Sequence, residues 1–467
     1  MKPARLLFLL LTLTATGPAG AADSKPNILL LFVDNVGYGD LGCYGNPEVK
    51  TPHLDRLAAE GVRCTDFYTG APSCTPSRGA ILTGRHPERN GLNYQLSPEE
   101  NMGGTGLPLT EKILPQYLKP LGYKTAAFGK WNLGFAPGYR PTDRGFDEFL
   151  GHMSGNIHYY KHLYRGQNDM RKGSEPIDLT GRYATDLFAD AAIDFIQRQK
   201  ASPWFIYIPF NAAHFISTAN TEPGESIEWQ VSAKYLALYG SPPDEPDQKI
   251  RFQAVLTALD EAIGRILTAV DAAGVREQTM ILCISDNGAF MLKDRGLEVQ
   301  SNRPLRDGGI TTHEGGIRVP AIVRWPAKIK AGTVCQHMLS SLDVLPLALA
   351  ISGGDLPQDR FIDGKNPLPA LLGESPSPHT ALHWVWNQGR KEQWRSLRDG
   401  NYKLTRRADT EPWQLYDLSK DISETHDLAS SMPEKVASMS ENLSAWHKSV
   451  LDDPTRSRSL RDRPESR

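Results

Sequence analysis

Three apolar runs constrain this chain more than any other feature. Asn27-Ile-Leu-Leu-Leu-Phe-Val33, Phe205 to Phe210 and Thr279-Met-Ile-Leu-Cys-Ile-Ser285 lack the polar alternation of a half-exposed strand. Each therefore suits a strand covered on both faces, as parallel sheets require. Between the last two, Phe252, Val255, Leu256, Leu259, Ile263, Ile266, Leu267 and Val270 recur at intervals of three and four, the stripe of a packed helix. Strands alternating with helices predict an α/β sandwich. Two of the runs end in a carboxylate, Asp34 and Asp286, and ligands of such sheets bind outside the carboxyl ends of the strands.

The first 21 residues read differently. Lys2 and Arg5 precede the apolar run Leu6 to Leu13, and Ala19-Gly20-Ala21 has the small-x-small form of a cleavage site, so residues 1–21 read as a secretory signal peptide. The run falls well short of the roughly 20 residues that span a bilayer, and no later segment qualifies. The formal net charge is −2, and loss of Lys2 and Arg5 makes the mature chain slightly more acidic. An anionic substrate would have to be met by a few local cations, and nucleic acid is excluded as a partner. The five cysteines do not fix any bridge; Cys283, inside an apolar run, reads as a small buried hydrophobe.

After residue 355 the texture changes to shorter runs, Leu382 to Trp386, Ser396 to Leu404 and Leu415 to Leu418, then a helix-like stretch from Pro433 to His447. This divides the mature chain into a large domain over residues 22–355 and a small antiparallel sheet with a helix over 356–450. Residues 451–467, charged and nearly free of apolar side chains, read as a disordered tail.

Chemistry concentrates in Cys74-Thr75-Pro76-Ser77-Arg78, followed by Leu82-Thr83-Gly84-Arg85. A cysteine in a loop rich in Pro, Ser and Gly is ordinarily a packed or bridged thiol. Here it opens a C-x-P-x-R motif that resembles the sulfatase signature, and further blocks in the same order extend the resemblance over about residues 26 to 450. The resemblance implies an alkaline phosphatase-like sulfatase fold, with a large mixed sheet between helices and a small C-terminal antiparallel sheet with a helix. It also implies hydrolysis of sulfate monoesters. In that family the cysteine is oxidised before folding to formylglycine, whose hydrate supplies a geminal diol as nucleophile, so Cys74 is the expected modified residue and a formylglycine-generating enzyme the expected maturation partner.

The same resemblance assigns roles by position. Asp34, Asn35, Asp286 and Asn287, together with residue 74, would hold a divalent metal, and hard oxygen donors suit Ca²⁺ or Mg²⁺. Asp286-Asn287-Gly288 alone reads more readily as a turn, and its position after a buried strand is what favours the ligand reading. Arg78 would hold the formylglycine, Lys130 would bind sulfate, and His214 would bind sulfate and protonate the leaving alcohol, as histidine chemistry permits. A sulfated carbohydrate is the substrate class such exported enzymes commonly take. Trp384, Trp386, Trp394 and Arg395 would suit a sugar clamp, although aromatic clusters more often form core.

Three positions depart from the family pattern. Asn35 replaces a second aspartate and removes one negative charge from the metal set. Asn132 stands in Gly129-Lys130-Trp131-Asn132-Leu133-Gly134 where a histidine helps release sulfate, and an amide is no base. Gly309 occupies the place of a sulfate-binding lysine, in Asn302-Arg-Pro-Leu-Arg306-Asp-Gly-Gly-Ile-Thr-Thr-His313-Glu-Gly-Gly. Asn132, Arg306 and His313 are candidate substrate-binding residues, with Lys293 nearby in sequence. Two readings stay open beside an active but atypical sulfatase: an impaired relative that binds sulfated glycans, and a phosphomonoester or phosphonate hydrolase on the same fold.

Overall fold

The structure, a computed structural model, describes residues 25–458 apart from 218, 219, 222–227, 292, 294, 295 and 387–391. The signal-peptide reading for residues 1–21 lies outside the described residues. At its centre β1 (Asn27–Val33), β2 (Lys124–Lys130), β3 (Glu148–His152), β4 (Trp204–Pro209) and β5 (Thr279–Ser285) lie in the order β5-β1-β4-β2-β3, all parallel. β6 (Ala321–Arg324) joins β5 antiparallel, and short edge strands complete a ten-stranded mixed sheet.

The apolar runs are continuous because both faces are covered. Leu29, Leu31 and Val33 point into one core and Ile28, Leu30 and Phe32 into the other, the period of two that a strand imposes. The first core is closed by α2 (Ala184–Gln199) and α3 (Gln248–Ala272); α1 (Cys74–Thr83) packs on the opposite face, with Ile81 and Leu82 in the second core. Ser285 pairs with Val33 in register, so Asp34 and Asp286 leave adjacent strands side by side.

Residues 381–417 form a four-stranded antiparallel sheet, Ala381–Trp386, Trp394–Asp399, Tyr402–Arg406 and Gln414–Asp417, covered by α4 (Pro433–Leu451) through Met439 and Leu443. This is the small sheet and helix expected from the sequence. Polar bonds fasten it to the large sheet. Lys403 Nζ lies 2.8 Å from Glu314 Oε1 and 3.3 Å from Glu424 Oε1, all three side chains buried, and Trp384 donates its indole N–H to the Thr69 carbonyl.

Residues 452–458 differ from the disordered tail expected of their composition. Asp453 pairs with Arg89, the Thr455 carbonyl accepts from Arg85 at 2.7 Å, and Ser457 Oγ donates to Glu111 Oε1 at 2.6 Å. Buried arginines that need partners order a segment with little apolar surface of its own. Residues 459–467 lie outside the described residues. All five cysteines are free thiols.

Candidate active site at the strand ends

Cys74 is the first residue of α1, at the carboxyl ends of the central strands. Ser77 anchors the turn that presents it, donating to the Ala71 carbonyl at 2.7 Å while its hydroxyl meets Thr69 Oγ1 at 2.9 Å. Thr69 Oγ1 in turn donates to the Asp286 carbonyl, so the turn is tied to the end of β5. The Cys74 thiol lies 3.4 Å from Asp34 Oδ1 and 3.8 Å from Asn35 Oδ1. Burial, and then the Asp34 carboxylate, push it well above the usual thiol range, so as a thiol it is a poor nucleophile.

Around it is a sealed charged nest. Lys130 Nζ is 2.6 Å from Asp34 Oδ2, and Arg78 Nη2 is 2.8 Å from Asp286 Oδ2 and 3.5 Å from Asp34 Oδ2, with all of these side chains fully buried. Arg78 Nη1 also donates to the Lys130 carbonyl at 3.0 Å. Burial opposes the Arg78 cation, but Asp286 overrides it and holds the guanidinium protonated. Asp286 is pushed up to about 6 by burial and by Asp34. A close approach of strands lets Lys130 reach the nest: Gly129 has φ 136°, and a Cβ there would lie 2.1 Å from the Pro209 carbonyl oxygen.

The asparagines complete the strand ends. Asn35 takes a left-handed conformation, φ 58°, which Asn and Asp tolerate better than most residues. Its N–H donates to Asp286 Oδ1 and its Oδ1 accepts from Asn287 Nδ2 at 2.7 Å. Asn287 Oδ1 is buried without a donor. Asp34, Cys74 and His214 each bring a ligand atom within 4.8 Å of the others. Two mutually repelling buried carboxylates, with amide oxygens beside them, fit a hard divalent cation, whose charge relieves that repulsion.

His214 follows β4 and is buried; its Nδ1 lies 2.5 Å from the Phe215 carbonyl, leaving Nε2 as the ring atom for the nest. Burial and then Lys130 hold its imidazole down at about 3. Asn132 is buried and donates to Thr75 Oγ1, on the residue after Cys74, at 2.9 Å. Arg306 and His313 are engaged elsewhere: Arg306 donates to Tyr416 Oη and the Glu424 carbonyl, and His313 Nδ1 meets Asp307 Oδ2 at 2.6 Å. Lys293 and both of these residues line a cleft beside the nest rather than the nest itself.

At Gly309 an ideal Cβ would lie 3.0 Å from the Phe290 ring and 3.1 Å from the Gly288 carbonyl oxygen, so a side chain there requires the ring to shift. Phe290 thus fills the space beside the position where the family carries its lysine. The structure also adds residues that the sequence did not reveal. Gln95 Oε1 accepts from the Thr75 N–H at 3.1 Å and from Ser73 Oγ at 2.7 Å. Gln300 Nε2 donates to the Asn35 carbonyl at 2.7 Å and leaves its Oε1 buried without a donor. His152, paired in register with Lys130, has a buried Nε2 without a partner. Gln95 and Gln300 lie in loops and His152 ends the short strand β3, so no periodic pattern pointed to any of them.

With fold and site in place, the chain belongs to the sulfatase family. The sulfatase family model matches residues 26–354, and that of the N-sulphoglucosamine sulphohydrolase C-terminal region matches residues 310–449. Human N-acetylgalactosamine-6-sulfatase is 35% identical over 424 residues, covering 82% of this chain and 75% of the relative. Human arylsulfatase A is 34% identical over 462 residues, covering 88% and 85%. Among solved structures, that of Ps i-CgsB in complex with k-i-k-neocarrahexaose superposes with a TM-score of 0.81 at 28% identity, covering 91% of this chain and 93% of that one. The protein is therefore a sulfuric ester hydrolase of the alkaline phosphatase-like fold, a family that uses formylglycine and a divalent metal.

Proposed function

We propose that this protein is an exported hydrolase that removes sulfate from a carbohydrate, with residue 74 converted to formylglycine and a calcium ion held by Asp34, Asn35, Asp286 and Asn287. One observation carries the reading: the Cys74 Sγ, 3.4 Å from Asp34 Oδ1, shares a buried nest with Lys130, Arg78 and Asp286. Those four charged side chains balance, two of each sign, so the nest alone does not favour an incoming anion. A dication would make it net positive and attract a sulfate ester. A metal held by Asp34, Asn35, Asp286 and Asn287 would lower the pKa of the hydrated formylglycine hydroxyl that serves as nucleophile.

The chain's own residues do the rest. Lys130 and Arg78 neutralise sulfate oxygens as charge develops. His214 Nε2 donates a proton to the leaving alcohol, and binding of the sulfate anion beside the ring raises its low pKa toward the range this needs. Asn132 orients Thr75 but accepts no proton, so sulfate release is the slow half of the cycle. The carbohydrate assignment draws on the relatives, one named for N-acetylgalactosamine-6-sulfate chemistry and one structure determined with a neocarrahexaose. Export to the periplasm or medium draws on residues 1–21, and no helix among the described residues is long and apolar enough to cross a membrane. Maturation requires a formylglycine-generating enzyme as partner.

Mass spectrometry of the tryptic peptide Cys64 to Arg78 from exported protein tests the reading. Formylglycine at 74, with sulfate release from sulfated oligosaccharides, is the expected result; unmodified cysteine in the natural host overturns it. Asn132 and the filled slot at Gly309 favour one second reading, a sulfated-glycan binder with little turnover, which would show ligand binding without sulfate release.

A further inference from the structure

A cleft of 810 Å³ opens between the loop that follows β5 and the C-terminal sheet, within the roughly 300–1,000 Å³ typical of ligand sites. Its inner wall adjoins the nest. Phe290 lies three residues beyond Asn287 with its ring centroid 6.3 Å from that of His214, and Ile310 donates to the carbonyl of Pro72, two residues before Cys74. Three side chains on the wall carry a buried nitrogen without a partner among the described residues: His313 Nε2, Trp394 Nε1 and Arg406 Nε. His313 and Trp394 are each only 4% exposed. More than nine in ten buried polar groups in proteins are satisfied by protein or water, so three around one open cavity are groups that a ligand can satisfy in place of water.

The nitrogens define that ligand. Trp394 Nε1 and Arg406 Nε can only donate, so they require acceptor oxygens. Asp307 fixes the His313 ring through Nδ1 at 2.6 Å, leaving Nε2 to accept from a hydroxyl when neutral or donate to an oxyanion when protonated. Phe290 and Ile310 add apolar surface for a ring face. Of the cations on the lining, Arg406 and Arg407 already pair with Asp409 and Glu411, which leaves Lys293 and Arg306 to meet an acidic ligand. We propose that this cleft is a second saccharide subsite, seating the acidic sugar unit next to the one whose ester lies at residue 74, so that the protein selects sulfated oligosaccharides over monosaccharide sulfates. This rests on the sulfatase reading.

The test measures equilibrium binding to full-length Cys74→Ala protein, which cannot turn over. The probes are tetrasaccharides of chondroitin 6-sulfate, ι-carrageenan and heparin, each compared with its monosaccharide sulfate. At least one tetrasaccharide should bind about tenfold more tightly than its monosaccharide. Trp394→Phe, which removes the indole N–H, and Arg406→Lys, which keeps the charge but has no donor where Nε stands, should each reduce that advantage roughly fivefold, with unchanged monosaccharide affinity and unchanged melting temperature. Absence of any tetrasaccharide advantage, or an advantage that survives both substitutions, overturns the subsite. Tetrasaccharide preference without sulfate release by the unsubstituted protein leaves the subsite standing and removes the catalytic reading instead.

Discussion

The Arg78 guanidinium bridges the ends of two parallel strands, with Nη2 2.8 Å from Asp286 Oδ2 and 3.5 Å from Asp34 Oδ2. Replacing it by leucine leaves both carboxylates buried without that cation, and breaking such a pair typically costs about 3–5 kcal/mol. Arg78→Leu should therefore lower the urea midpoint markedly, and added calcium should recover part of the loss. An unchanged midpoint would mean that Lys130 alone neutralises the nest.

Asn35→Asp adds a carboxylate to the side chains proposed to hold the metal. Calcium affinity should rise by about tenfold, or 1.4 kcal/mol, read by calorimetric titration. The metal-free variant should melt lower than the parent, because a third carboxylate joins two that already repel each other.

Gly309 and Phe290 act as a matched pair. Gly309→Lys alone forces its Cβ to 3.0 Å from the aromatic ring and should lower stability by about 1–3 kcal/mol. Gly309→Lys with Phe290→Ala should recover stability and lower KM for a sulfate ester. Equal destabilisation in the single and double variants would show that the ring is not the obstacle.

Asn132→His puts a base where the amide now donates to Thr75 Oγ1. Turnover should rise, by up to about 100-fold if proton removal limits sulfate release, with little change in KM. Single-turnover and steady-state rates on one sulfate ester would decide it.

His86 is buried against the edge of Trp446, with Nε2 3.0 Å from the His383 carbonyl, and burial brings its imidazole down from 6.5 to about 3. Between those values the unfolded chain binds a proton that the folded chain refuses, so the contribution of His86 to stability is lost as pH falls below about 6.5. Each pH unit removes up to about 1.4 kcal/mol. Urea unfolding of the parent and of His86→Gln at pH 7 and pH 5 should show a stability difference that shifts toward the variant at the lower pH.

Of the central strands, β1, β4 and β5 were legible because burial on both faces leaves no polar alternation to misread, whereas β2 and β3, with their glycines and charged ends, were not. Asp34 and Asp286 were placed by the same logic, since their strands end together in register. The outer strands were not, because runs such as Val62–Cys64 and Met170–Lys172 are too short to carry a period. Gln95 and Gln300 escaped notice because an amide in a loop has no spacing rule. Phe290 acquires meaning only beside Gly309, nineteen positions away in the chain. The ordering of residues 452–458 depends on arginines contributed by a distant segment, and local composition says nothing about that.

The contacts of Asp453 and Thr455 with Arg89 and Arg85 join stretches more than 360 residues apart. The segment just after α1 therefore receives its final partners only when nearly the whole polypeptide has been synthesised. Removing residues 453–455 would take a partner from each of these two buried arginines, so a truncation remote in sequence would reach the ground beside the signature helix.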